Sequence, residues 1–239
     1  MKKALVIMHV KSEGPGSLGE FLKSYGFRLQ TVRLYQEEKL PRNVQKFDAI
    51  VSMGGPMGVH DETLYPFLKH EREFLREAID RNIPVLGICL GAQMIAHACG
   101  ASVEKAPENE EGWKDVFVTK EGRRDILFQG LSETLQVFQW HEDIFEIPYG
   151  GTLLAMGKEC PHQAFRYRNA YGFQFHIEVT EDMLTEWFNS KPEHDDYINY
   201  YKKIEQDYST QAKMIYANFM WFVDLCREVA GSQYNKVIR

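Results

Sequence analysis

The sequence predicts an α/β fold: an open, mostly parallel sheet with helices on both faces, continued by a β-rich extension. Three observations carry that prediction. Over the first hundred residues, short apolar runs of strand length alternate with segments of helical period. After Gly100 the texture changes to short strand-like runs with turn signals between them. No Ser/Gly-rich linker, low-complexity tract or internal repeat divides the 239 residues, so residues 1–239 are expected to form a single domain.

In chain order, Ala4 to Val10 is a buried strand candidate. Lys11 to Gly16 is a loop, and Ser17 is placed to cap a short helix reaching Tyr25. Arg28 to Tyr35 and Phe47 to Met53 read as the second and third strands, and Gly54-Gly55-Pro56-Met57-Gly58 follows as a loop. Between Tyr65 and Asn82, residues Phe67, Leu68, Phe74, Leu75, Ala78 and Ile79 recur at helical spacing. Pro84 opens a fourth strand through Val85, Leu86 and Ile88, and Leu90 to Ala98 reads as a helix. Lys114 to Thr119, Thr134 to Trp140, Thr152 to Met156, Gln163 to Tyr167 and Gly172 to His176 are the strand-like runs of the second half. Thr180, Met183, Leu184, Trp187 and Phe188 mark a helix. Asp195 to Arg227 reads as one or two more, with Ile204, Met214, Ile215, Ala217, Phe219, Phe222, Val223 and Cys226 on a core-facing stripe.

Composition excludes several classes. The formal net charge of −6 leaves no basic surplus to neutralise phosphates, so no nucleic-acid partner is expected. No apolar run approaches the length that spans a membrane, and the N-terminal run is too short for a secretory signal. Cys89, Cys99, Cys160 and Cys226 form no C-x-x-C pair and no metal-like cluster, which favours a reducing, cytoplasmic setting. His60, His70, His162 and His194 lie in no ligand-spaced group, and His97 reads as packing or surface. Neither a metal nor a cofactor is expected. Gly14-Pro15-Gly16-Ser17-Leu18-Gly19 does satisfy G-x-G-x-x-G, with Glu37 further on. Four residues separate it from the first strand and Pro15 stiffens the turn, so no dinucleotide site is assigned.

Chemistry concentrates at three places. Gly87-Ile88-Cys89-Leu90-Gly91 puts a cysteine on a strand-to-helix turn between two glycines. Such a turn needs small neighbours, and the helix N-terminus behind it favours the reactive thiolate. In Phe173-Gln174-Phe175-His176-Ile177-Glu178, strand alternation sends Phe173, Phe175 and Ile177 to one side and Gln174, His176 and Glu178 to the other. His176 and Glu178 then lie roughly 7 Å apart along the chain on one face, where the carboxylate orients the imidazole. The Met53-Gly54-Gly55-Pro56 loop follows a strand and so falls at the carboxyl edge of the sheet. A backbone N–H near Gly55, paired with that of Leu90, would make an oxyanion hole for an acyl intermediate.

Gly54-Gly55-Pro56, Gly87 to Gln93 and Phe173 to Val179 together resemble the class I (triad-type) glutamine amidotransferases. Met57 to Asp61, Gly112-Trp113, Trp140-His141-Glu142-Asp143 and Gln163 to Tyr167 look like the stand-alone subgroup related to the glutaminase domain of GMP synthase. The resemblance implies a flavodoxin-like class I glutaminase fold. It implies Cys89 as nucleophile, His176 as base and acid, and Glu178 as the residue orienting His176. It also implies Gly55 and Leu90 as oxyanion donors, with Gly54, Gly55, Gln93, His141 and Glu142 at the substrate. The implied reaction is attack on the side-chain amide of glutamine, release of ammonia from a γ-glutamyl thioester, and hydrolysis to glutamate.

Three departures from the family pattern stand out. Ile177 replaces the usual proline between histidine and glutamate, and His141-Glu142-Asp143 stands where His-Gly-Asp is common. Asn109-Glu110-Glu111 brings extra acid before Gly112-Trp113. Members of the subgroup either feed ammonia to a partner or cleave γ-glutamyl conjugates. The chain shows no G-x-x-x-x-G-K-[ST] loop, so an ammonia acceptor would be a separate synthetase subunit. From another class, the alternative is a non-catalytic, glutamine-binding regulatory subunit.

Overall fold

A computed structural model describes residues 2–237, with side chains through residue 229. Nine strands form one sheet: β1 (Lys2–Met8), β2 (Phe27–Arg33), β3 (Ala49–Ser52), β4 (Val85–Ile88), β5 (Val103–Val118), β6 (Thr134–Phe145), β7 (Thr152–Met156), β8 (Ala164–Tyr167) and β9 (Ala170–Phe173). Their order is β2-β1-β3-β4-β9-β8-β7-β5-β6. The pairs from β2 to β9 are parallel, and those from β9 through β8, β7 and β5 to β6 are antiparallel. The β-rich half therefore continues the parallel sheet. Among the described residues there are five α-helices, besides short 3-10 turns: α1 (Gly16–Ser24), α2 (Phe67–Asp80), α3 (Leu90–Ala98), α4 (Glu181–Phe188) and α5 (His194–Val237).

Alternation along the strands divides the core between the two faces. Ala4 and Val6 of β1 join Leu86 of β4 and Phe173 of β9 in a cluster with Leu18 of α1 and Phe219 of α5. Leu5 and Ile7 go to the other face, against Leu68 and Leu75 of α2 and Ile95 of α3. β1, β3 and β4 are short and almost wholly buried, as expected of parallel strands covered on both sides. Among the described residues, no helix is long and apolar enough to cross a membrane.

Several expectations are corrected. α1 begins at Gly16 after Pro15, and Ser17 does not cap it; the Ser17 hydroxyl donates to the Glu178 carbonyl at 3.2 Å instead. The helix N-terminus thus meets the chain carrying His176 and Glu178, and the Ser17 N–H also donates to the Glu178 carbonyl, at 3.0 Å. β5 begins at Val103, well before Lys114, and β6 runs past Trp140 to Phe145. The early part of β5 is mostly charged and exposed, with a bulge between Lys105 and Glu110, so it lacks the apolar alternation that marks a half-buried strand. β9 stops at Phe173. His176 pairs instead with Phe138 of β6, through a His176 N–H to Phe138 carbonyl bond of 2.8 Å. The final segment is one helix. Ala217 is exposed on it, while Tyr201, Tyr208, Ala212, Tyr216 and Met220 add to the buried stripe.

Candidate active site

The carboxyl ends of β1, β3, β4 and β9 lead into His9, Met53-Gly54, Cys89 and Gln174, so four adjacent strands deliver one residue set to one edge. Cys89 sits between β4 and α3 with φ 51° and ψ −111°. Holding a non-glycine residue in such a sparsely populated region costs about 1–3 kcal/mol and persists only where the surroundings enforce it. Here they do. The Cys89 N–H donates to the Phe173 carbonyl at 2.8 Å, and its carbonyl accepts from Ala92 and Gln93 in the first turn of α3. A side chain at Gly87 would meet the backbone of Gly91 and Ala92, and one at Gly91 would overlap the Ser52 carbonyl. The turn therefore closes only with both glycines.

The thiol is buried, with Sγ 3.7 Å from the Trp140 carbonyl. Burial pushes its pKa up and Glu13 adds to this, while His176 and the Leu90 N–H favour the thiolate; the balance is upward. His176 and Glu178 are wholly buried. The His176 Nδ1–H donates to Glu178 Oε1 at 2.8 Å, and the other carboxylate oxygen accepts from the Ile177 N–H at 2.9 Å. His176 Nε2 is buried without a hydrogen-bond partner, and the Cys89 thiol, after Glu178, is an acidic group near the ring. Burial lowers the imidazole pKa, but Glu178 and the thiol outweigh it and hold the value well above its ordinary one. Three successive carbonyls anchor this stretch: His176 accepts from Tyr208 at 3.2 Å, Ile177 from Tyr216 at 2.7 Å, and Glu178 from Ser17.

A cavity of about 230 Å³ opens onto the sulfur, lined among others by Gly55, Cys89, Gln93, Trp140 and Glu142. Gln93 reaches its wall and donates to the Asp143 carbonyl at 3.1 Å. His141 also lines the cavity, but both ring nitrogens are engaged, Nδ1 with the Asp143 carbonyl at 3.1 Å and Nε2 with Glu110 at 3.0 Å. Glu142 stands at the rim with 65% of its side chain exposed, 3.4 Å from Lys105 Nζ. Its negative charge is therefore partly offset. Gly54 lies close enough to His176 and Glu13 that an added side chain would meet both.

Sequence reasoning missed Glu13 and His9. Glu13 lies in the loop read only as Lys11 to Gly16, yet its carboxyl is buried in the cavity wall; burial raises its pKa, with His176 opposing and Glu178 reinforcing. His9 directly follows the first strand, and a polar residue ending a central parallel strand was the signal available. The structure also gathers Glu110, His141 and Cys160, whose ligand atoms lie within 4.8 Å of one another. Glu110 already accepts from Gln163 at 2.8 Å and pairs with His141, so the group forms a hydrogen-bonded wall.

Fold and site together define an α/β protein presenting a buried cysteine, histidine and glutamate at the carboxyl edge of an open sheet. The family model described as glutamine amidotransferase class-I matches residues 17–189, and the chain belongs to that family. It is 34% identical over 182 residues to the glutamine amidotransferase-like protein YfeJ of Salmonella typhimurium, covering 74% of this chain and 76% of that protein. It is also 34% identical over 171 residues to the GMP synthase of Thermosipho africanus, covering 66% of this chain but 31% of the synthase, so the chain spans about a third of that relative. A glutamine amidotransferase crystal structure from Thermotoga maritima superposes with a TM-score of 0.85 at 30% identity, covering 91% of this chain and 97% of that one.

Proposed function

We propose that the chain hydrolyses the side-chain amide of glutamine, or the amide of a γ-glutamyl compound, through a thioester on Cys89. The observation that carries this reading is the unpartnered Nε2 of His176 beside the Cys89 thiol, with Nδ1 committed to Glu178. The neutral form of His176 takes the thiol proton, and Sγ attacks the amide carbon. The carbonyl π pair moves onto oxygen, where the Leu90 and Gly55 N–H groups receive it. The imidazolium then protonates the leaving nitrogen as the C–N bond breaks. A water molecule, deprotonated by His176, attacks the thioester, and glutamate leaves with the thiol restored. Glu178 keeps the imidazole in the required tautomer, and Gln93, His141 and Glu142 belong to the substrate pocket.

The test is release of ammonia and glutamate from glutamine by the purified protein, lost in Cys89→Ala. Absence of turnover on glutamine and on γ-glutamyl amides would leave the non-catalytic, glutamine-binding reading. A second reading, cleavage of γ-glutamyl conjugates, is prompted by the departure at Glu142, which stands exposed at the rim of the cavity, where a leaving group would meet it. Faster release from γ-glutamyl-p-nitroanilide or a γ-glutamyl dipeptide than from glutamine would establish it. Slow turnover of glutamine alone points to a synthetase subunit that receives the ammonia, in keeping with the GMP synthase relative. Affinity capture with the tagged full chain then identifies that subunit.

A further inference from the structure

We infer that His9, held by Glu71, which Ser52 holds in turn, is a positioning residue that locks the Gly54–Gly55 peptide with its N–H facing the cavity. The inference rests on the proposed amide hydrolysis and adds a network outside the cysteine, histidine and glutamate. His9, Ser52 and Glu71 are all wholly buried, and they come from three elements: the end of β1, the end of β3 and the middle of α2. His9 Nδ1 lies 3.0 Å from the Gly54 carbonyl. A carbonyl oxygen only accepts, so the proton is on Nδ1. His9 Nε2 lies 2.6 Å from Glu71 Oε2, and the Ser52 hydroxyl donates to Glu71 Oε1 at 2.6 Å.

The peptide plane converts this bond into an orientation. A trans peptide points its C=O and the following N–H in opposite directions. Turning the Gly54 carbonyl toward His9 therefore turns the Gly55 N–H away from His9, and Gly55 lies in the cavity wall. A reversed peptide would put a carbonyl oxygen where an acyl oxyanion develops, and reversal must break the His9 bond in a site closed to water. The contact is close: a side chain added at Gly55 would come 2.8 Å from His9 Cβ. Burial pushes the His9 pKa down, but the charge and hydrogen bond of Glu71, the Gly54 carbonyl and Glu13 push it up, and the balance is upward. Phe67 is the aromatic ring beside it. Charged His9 donates from both nitrogens, which suits a carboxylate on one side and a carbonyl on the other.

A buried ion pair could serve stability alone, so the test needs a readout that stability does not move. His9→Phe/Glu71→Gln removes the donor to Gly54 without leaving a buried carboxylate unpaired. His9→Asn/Glu71→Gln restores an amide donor near the position of Nδ1. With γ-glutamyl-p-nitroanilide, the first variant should lose about 30-fold or more in kcat with KM within about threefold, and the second should recover most of the loss. Alkylation of Cys89 by iodoacetamide forms no oxyanion, so its rate should be the same in both variants. Equal kcat in the two variants, or an alkylation rate that falls in step with kcat, would overturn the inference.

If either variant fails to fold, a crystal structure of the wild-type protein alkylated at Cys89 by a diazoketone analogue of glutamine decides. The Gly55 N–H on the ketone oxygen supports the inference, and a Gly54 carbonyl turned to the ligand refutes it. Wild-type protein inactive on every γ-glutamyl amide is a different result: it removes the proposed reaction, and the positioning role falls with it.

Discussion

Cys89, His176 and Glu178 divide the proposed chemistry unequally, and substitutions should show the division. Cys89→Ala removes the nucleophile and should abolish turnover. His176→Ala should cost nearly as much, whereas Glu178→Gln, which keeps a side chain beside Nδ1, should cost less. Steady-state kinetics on one substrate checks the ranking, and equal losses at His176 and Glu178 would contradict it. Ile177 shows what a departure from the family pattern provides: its N–H holds Glu178 Oε2 at 2.9 Å, a bond that proline cannot make. Ile177→Pro should lower stability by about 1 kcal/mol, read by chemical denaturation. Glu13 opposes the Cys89 thiolate, so Glu13→Gln should speed alkylation of Cys89 by iodoacetamide at neutral pH; a slower rate would contradict that role. As candidates, Cys89, His176 and Glu178 stand out in the sequence because their spacing within a turn and an extended segment is local. Glu13 and His9 do not, because their meaning comes from Gly54 and Glu71, which are distant in sequence.

At the scale of elements, the elbow and the helices behind it decide whether those residues meet. A side chain at Gly91 would overlap the backbone of Ser52, which cannot yield as a flexible side chain does. Gly91→Ala should therefore destabilise by several kcal/mol or prevent folding, measured by denaturation of the full chain. α5 acts through Tyr208 and Tyr216, which donate to the carbonyls of His176 and Ile177. Helical spacing in α2 and α4 is read directly from the sequence, and in the structure Thr180 caps α4, accepting from the Met183 N–H. The early part of β5 could not be read, since an exposed, charged ribbon is stabilised by its pairing with β6 and not by apolar alternation. The sequence places the last strand at Gly172 to His176, too far along compared with β9, for a related reason. Side-chain alternation continues through Phe175 and Ile177 into the core, although the hydrogen bonds have already passed to Phe138.

Over the whole molecule, two buried histidines tie stability to pH. His9 and His176 both have folded-state pKa values raised above the ordinary 6.5. Below that value both folded and unfolded chains carry the proton, and the stabilisation from the partner carboxylates is fully present. As pH rises above it, the native state binds more protons than the unfolded state, so stability falls until the folded pKa is passed. The melting temperature should therefore decline from about pH 6.5 upward, and Glu71→Gln should flatten part of that decline. The alternation of strands and helices foretold the parallel half of the sheet. The antiparallel continuation from β9 to β6 is what brings Trp140, His141 and Glu142 over the cysteine, and such pairing between distant segments leaves little trace in local pattern.

The central claim is an acyl group carried on Cys89. Rapid acid quenching of the wild-type protein during turnover of γ-glutamyl-p-nitroanilide, followed by peptide mass spectrometry, tests it most directly. A glutamyl mass added to the peptide containing Cys89, absent in Cys89→Ala, is the predicted result. Turnover that proceeds with the glutamyl group on another residue, or that survives in Cys89→Ala, would contradict it.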